Sequence, residues 1–421
     1  MVKHLIKILG AQRRLNGWIF CELAVVMCVV WLMVDKMWVD TRCYMAPLGY
    51  DIENTWRLRL AMLSPGMDGY MENGSSEAMS DDLHTLVDRI GREPEIEGTC
   101  LSFWSMPYSF GNSWRNFIPI DGDTAKASGQ SYHTLVITPD YFTLFRIRDV
   151  EGREIPPMLD GIIRPAVMTV EGEDFFFGGK GAKGSKLSHN SDLSEPYTVA
   201  AVLPTFRSND FDRPENCLFT PLDKAGFNEL LIQYGVENVE LCVRMRESMS
   251  EDEMLAFLER AANRFVEGNI FVQSVESISV MRDTQLSLKH NSMKQRIATI
   301  MFLLVNIFFG IVGTFWLRTE RRQGEIGLRM AIGSSRGKVA TFMSVEGVLL
   351  LLLTLPILLI FIFNMAYLDH LDSYREPLSM MRMFATISIS YFIMAGMIGL
   401  GILIPVRRAV NMNPSEALRY E

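Results

Sequence analysis

The sequence predicts an α-helical membrane protein with four transmembrane helices and a large α+β extracytoplasmic domain. Three observations carry this: apolar runs at 18–34, 297–317, 345–363 and 384–406, a polar, turn-rich stretch over 39–295, and an uneven distribution of Lys and Arg among the short segments. Each run approaches the roughly 20 apolar residues that cross a hydrocarbon core of about 30 Å. The whole-chain composition, 48% apolar with net charge −8, averages over this split.

The spans are expected at 17–38, 296–317, 339–363 and 384–406. Lys3, Lys7, Arg13 and Arg14 precede the first, as they would in a signal peptide. The exit "WLMVDKMWVDTRCYM" offers no small-residue cleavage site, so an uncleaved anchor is expected. Positive charge then orients the chain. The segment 1–16, the loop 318–338 (Arg318, Arg321, Arg322, Arg329, Arg336, Lys338) and the tail 407–421 (Arg407, Arg408, Arg419) are basic. The short loop 364–383 instead carries Asp369, Asp372 and Glu376 against Arg375. The positive-inside rule puts both termini and the 318–338 loop in the cytoplasm, with 39–295 and 364–383 outside.

Within 39–295 the periodicity alternates between strand and helix. "TWRLRLAML" alternates Trp56, Leu58, Leu60 and Met62, "SDDLHTLVDRI" sets Leu83, Leu86, Val87 and Ile90 at helical spacing, and "IEGTCLSFW" is a strand again. A second unit repeats the order. "ENVELCVRM" alternates Val239, Leu241, Val243 and Met245; "SMSEDEMLAFLERAANRF" opens on a Ser250–Glu253 capping box and aligns Met254, Phe257, Leu258, Ala261 and Phe265; "NIFVQSVESISVM" closes as a strand. Two such units predict a ferredoxin-like split βαβ layer. Residues 105–237, with short pieces such as "HTLVIT" and "EPYTVAAVLP", are expected to form a mostly β inserted subdomain.

Catalytic chemistry is sparse. "GGKGAKGSK" (178–186) approaches a phosphate-binding loop but has Gly184-Ser185-Lys186 where Gly-Lys-Ser/Thr is needed, and no helix pattern follows; a basic loop in a hairpin is expected. The six histidines show no pair at metal-ligand spacing, so no metal site and no catalytic residue is expected. Cys43, Cys100, Cys217 and Cys242 are exported on this topology, and their spacing matches no disulfide framework. Glu22 lies inside the first apolar run, where a carboxylate serves helix pairing or function, or else reaches the interface by snorkelling. Glu346, at the entry to the third span, is expected to meet the arginines of the preceding loop.

Between the second and third spans stands "LRTERRQGEIGLRMAIGSSRGKV" (317–339), where Ile326, Leu328, Met330 and Ile332 alternate as in a strand. A lone strand beside a bilayer leaves its backbone groups unpaired, so a short helix ending at Gly333 is expected, lying along the inner face.

This stretch resembles the coupling segment of MacB/FtsX-type ABC transporter permeases, in which a Glu-Ile-Gly-hydrophobic-Arg block precedes hydrophobic-Gly-small-Ser. The tail "NMNPSEALRYE" is similar to the family's Asn-Pro-x-x-Ala-Leu-Arg-x-Glu ending, and "ITPDYFTLFRIRDVEGREI" and "EPYTVAAVLPTFR" resemble elements of its external domain. The chain lacks the Walker A motif that members with a fused ATPase carry. The resemblance therefore implies a separate ATP-binding subunit that binds ATP and Mg, a second permease subunit (homo- or heterodimer), and residence in lipid of the bacterial inner membrane with the large domain periplasmic. It implies that Glu325, Ile326, Gly327, Leu328, Arg329, Gly333 and Ser334 dock on the ATPase, supported by Pro414, Glu416, Ala417, Leu418, Arg419 and Glu421. The implied activity is mechanotransmission for export or efflux, with a periplasmic adaptor or outer-membrane protein as a further partner. The rival readings are a non-transporting regulator of a cell-wall hydrolase and a lipoprotein-release permease. No nucleic-acid partner is expected.

Overall fold

A computed structural model describes residues 13–72, 76–109, 113–121, 131–189, 192–321 and 323–411. The chain divides into two compact units, 45–289 and the combined segments 1–44 and 290–421.

Helix α1 (Arg13–Met45) leads to β1 (Thr55–Met62), α2 (Ser76–Gly91) and β2 (Ile96–Phe103). The inserted stretch follows with β3 (Trp114–Asn116), β4 (Ile118–Pro119), β5 (Ser131–Ile137), α3 (Asp140–Leu144), α4 (Pro156–Leu159), β6 (Pro165–Thr169) and α5 (Val170–Phe177). It continues through β7 (Lys186–Ser188), β8 (Tyr197–Leu203), β9 (Cys217–Pro221) and α6 (Lys224–Tyr234). Then come β10 (Val239–Met245), α7 (Glu251–Ala261), β11 (Val266–Glu267), β12 (Ile270–Ser277) and α8 (Ile278–Arg321). Last are α9 (Gln323–Ala331), α10 (Arg336–Leu352), α11 (Leu355–Tyr367) and α12 (Met380–Asn411).

In the unit 45–289 the neighbouring strands run β12-β1-β10-β2, all antiparallel. This is the order of a split βαβ pair, with the second unit's strands interleaved between and beside those of the first. Trp56, Leu58 and Leu60 of β1, Leu83, Leu86 and Ile90 of α2, and Met254, Phe257 and Ala261 of α7 share one core, so helices cover one face. The Ser250–Glu253 capping box forms as the sequence predicts.

The opposite face departs from the alternation. Glu240, Cys242 and Arg244 point away from that core, yet each is buried. The insertion covers them. Glu240 accepts hydrogen bonds at 2.8 Å from Ser102 Oγ and from the backbone N–H groups of Ser105 and Met106. Arg244 donates to the carbonyls of Leu144, Asp51 and Glu53. Buried charges persist only when their hydrogen-bonding capacity is met, and here backbone groups meet most of it.

The insertion differs from a separate β subdomain. Its strands prolong the same sheet in the order β2-β5-β9-β6-β8-β7-β4, joined through the short pairing Ser102↔Ile137 and Phe103↔Val136. Helices α3 to α6 lie within it, and Phe117, Tyr132, Met168, Phe176 and Leu218 form its own core. The parallel pairs β5–β9 and β6–β8 require crossovers, and those connections hold the helices that short apolar pieces concealed.

Helices long and apolar enough to cross a membrane cover Gly17–Met45, Ile278–Thr314, Gly337–Tyr367 and Met380–Gly401. Their shared core includes Leu23, Met27, Trp31, Ile311, Leu351, Ile362, Met394 and Ile398. Gly401 brings α12 against α8: a Cβ there would stand 3.3 Å from Ile311 Cγ2. Two details differ from the expected spans. Helix α8 starts at Ile278, inside the closing strand read as "NIFVQSVESISVM", because the polar stretch 282–296 holds no Gly or Pro to end it. The third span is broken at 353–354. Pro356 has no N–H for the carbonyl four residues back and its ring crowds that carbonyl, so the ladder stops. Thr354, fully buried, donates to the Leu351 carbonyl at 2.7 Å and lies 3.2 Å from Tyr391 Oη.

Candidate functional site

Helix α9 forms where the coupling segment was expected, and its faces differ. Ile326 is 5% exposed and belongs to the core of the helical unit, with Met330 packed beside it. Leu328 and Ile332 are 53% and 78% exposed. Residues four apart share a helix face, so 326 and 330 point inward while 328 and 332 point outward. The strand-like alternation is thereby reinterpreted as two faces of one short helix. Gly327 is buried, Gly333 and Ser334 are not. Gly333 ends the helix at φ +100°, a conformation side chains rarely adopt, and its N–H donates to the Met330 carbonyl. Ser335 then caps α10, accepting from the Lys338 N–H.

Not every proposed docking residue can be placed. The side chains of Glu325 and Arg329, and the tail residues Pro414, Glu416, Ala417, Leu418, Arg419 and Glu421, lie outside the described residues. Of the expected docking residues with described side chains, Ile326 packs into the core of this unit and Leu328 is the exposed apolar one.

Glu22 is half-buried and accepts from Thr314 Oγ1 at 3.0 and 3.2 Å, joining α1 to α8. Helix pairing is thus the reading with a contact behind it. Glu346 is 1% exposed, packed inside the helical unit. The side chains of Arg318, Arg321, Arg329 and Arg336, expected to meet it, lie outside the described set, as does Arg322.

Sequence reasoning missed an ion-pair network at the opposite ends of these helices. Arg382 of α12 grips Asp35 of α1 through Nε at 2.8 Å and Nη2 at 2.6 Å, and both are buried. Its Nη1 donates to the carbonyls of Asp372 and Glu376. Asp40 accepts from Arg375 at 2.8 Å and from Arg296 at 2.9 Å, while Arg375 also holds Asp372 at 2.6 Å. The available signal was Asp35, Asp40 and Arg382 flanking apolar runs within a turn or two; their partners lie hundreds of residues apart. Trp31 Nε1 adds a bond to Thr386 Oγ1 at 3.0 Å.

In the unit 45–289, the glycine-rich loop leads from α5 into β7. It is neither a hairpin turn nor the strand-to-helix turn that a phosphate loop requires. Cys100 and Cys242 face each other across β2 and β10. The absence of a metal-ligand set, inferred from histidine spacing, is a statement about sequence only. In space His133, Glu215 and Cys217 converge, with Nδ1 at 3.1 Å from Glu215 Oε2 and 3.7 Å from Cys217 Sγ. Burial raises the Glu215 carboxyl, but hydrogen bonds from His133 and Ser208 outweigh it and hold its pKa below the usual value.

The two units define a class: a multi-pass membrane protein with a large mixed α/β domain between its first and second spans in the sequence. Residues 297–414 match the FtsX-like permease C-terminal family. Among solved structures, the periplasmic region of MacB from Actinobacillus actinomycetemcomitans is 12% identical with a TM-score of 0.34, over 57% of this chain and 96% of that one. The extracellular domain of the noncanonic ABC-type transporter YknZ from Gram-positive bacteria is 14% identical with a TM-score of 0.30, over 52% of this chain and 100% of that one. Likenesses this weak carry no functional argument. Among curated proteins none matches the chain.

Proposed function

We propose that this chain is the permease subunit of an ABC-type transporter, non-catalytic itself, which passes the ATP-driven motion of a separate ATPase to its large domain. The observation that carries the reading is α9. Within the permease match, a short helix is anchored by Ile326 in the helical core and presents Leu328 and Ile332 outward. That is the amphipathic form in which a helix fills a groove of a partner. In this reading ATP and Mg are held by the partner ATPase. The working assembly holds two permease subunits and two ATPases in a bacterial inner membrane, with the termini cytoplasmic and the domain 45–289 periplasmic. Export or efflux is the activity the family resemblance implies.

The full chain, purified in detergent with an affinity tag, is expected to retain an ATP-binding subunit and to stimulate its hydrolysis when reconstituted. Recovery of a cell-wall hydrolase with no transport component would instead make the chain a regulator, and recovery of no ATPase would end the proposal.

A further inference from the structure

Three groups on different parts of the insertion point at one spot. His133 lies on β5, Cys217 is its direct partner at the start of β9 in the parallel register, and Glu215 sits two residues before Cys217. Their donor atoms stand 3.1 Å (N to O), 3.7 Å (N to S) and 4.0 Å (O to S) apart. Donors held about 2.0–2.3 Å from a tetrahedral zinc-class ion are spaced roughly 3.3–3.6 Å apart, so only tenths of an ångström separate this arrangement from a ligand set.

A hydrolytic triad is the competing use of Cys, His and an acid, and the geometry opposes it. In a triad the imidazole receives the nucleophile on one nitrogen and the acid on the other. Here both Cys217 and Glu215 approach the same nitrogen, Nδ1. Convergence of all three donors on one point suits a cation and gives no relay.

We infer that His133, Glu215 and Cys217 form a three-ligand site for a thiophilic divalent cation of the zinc class. Thiolate, imidazole and carboxylate together select such an ion over magnesium or calcium, which prefer oxygen. Binding replaces the proton on the Cys217 thiol, which leaves to solvent, and His133 keeps its remaining proton on Nε2. Supporting contacts are in place: Ser208 Oγ donates to Glu215 at 2.9 Å, and the Trp114 indole stacks on the imidazole at 5.5 Å, fixing its plane. Side-chain exposures of 13% for His133 and 23% for Glu215 leave an entry path and room for water as a fourth ligand. The ion would clip β5 to the chain entering β9.

The test uses the full chain in detergent, reduced and stripped of metal, titrated with Co(II) alone. One equivalent is expected to bind with thiolate-to-cobalt charge-transfer absorption and the intense visible bands of four-coordinate cobalt, and Zn(II) should displace it. Cys217→Ser should abolish the charge-transfer band. His133→Ala, with folding checked by its unfolding midpoint, should weaken Co(II) at least tenfold, while His189→Ala should change nothing. Absence of the band in the wild type, its persistence in Cys217→Ser, or undiminished affinity in His133→Ala overturns the assignment.

Discussion

Arg382 and Asp35 are the residues at which one substitution should cost most. Removing one partner of a buried, bidentate pair leaves the other charge uncompensated, a loss of about 3–5 kcal/mol. Arg382→Ala is expected to show it as a lowered unfolding midpoint in detergent, and Arg382→Lys should not rescue it because a lysine ammonium lacks the planar fork that meets Asp35 and the Asp372 and Glu376 carbonyls at once. The double variant Asp35→Asn, Arg382→Gln should lose less than the sum of its singles. Glu22 makes a subtler case. Glu22→Gln can still accept from Thr314, whereas Glu22→Leu cannot, so the Leu variant alone should lose stability, by about 1 kcal/mol. In the unit 45–289, Asp210 is held below the usual carboxylate pKa. Burial would raise it, but hydrogen bonds from Arg282 and Tyr108 more than offset that. A depressed folded pKa contributes stability above the unfolded value, and the contribution is lost as pH falls through the folded one. Wild type should therefore exceed Asp210→Asn in stability at neutral pH, with the gap closing below about pH 4; denaturant midpoints across pH read it directly.

At the scale of elements, α9 separates anchoring from docking. Leu328→Asp adds a charge to an exposed face and should change stability by less than about 0.5 kcal/mol while abolishing ATPase copurification and stimulation. Ile326→Asp buries an unpaired carboxylate in the helical core and should fail earlier, as reduced folding. If Leu328→Asp retains a stimulated ATPase, α9 is not the docking helix. Gly333→Ala, forced to φ +100°, should cost on the order of 1–3 kcal/mol and loosen the turn into α10. The helix itself was legible in the sequence, because a strand there would have no partner. Its inward face was not: strict alternation of 326, 328, 330 and 332 names no side until the bundle supplies one.

For the whole molecule, orientation follows from charge. In a background without native cysteines, Lys183→Cys should label from outside intact cells and Lys338→Cys only after permeabilisation; the reverse pattern would reject the topology. Both positions are exposed, so access depends on the side of the membrane and not on burial.

Local chemistry was enough to establish the four apolar runs, the strand–helix–strand run of each βαβ unit, the capping box and the short helix after the second span. Each depends on neighbours within a few turns: a stretch of apolar residues long enough for a bilayer, a period of two or 3.6, a Ser three residues before a Glu. Tertiary structure alone decided what depends on meetings across the chain. The back of β10 is dry because the insertion folds over Glu240 and Arg244. Asp35 finds Arg382 across 347 residues, and His133 finds Cys217 across 84, through helix and strand pairings that no local pattern encodes. Sequence separation carries no information about such contacts; burial does, because a charge or thiol removed from water must end beside whatever partner the fold delivers.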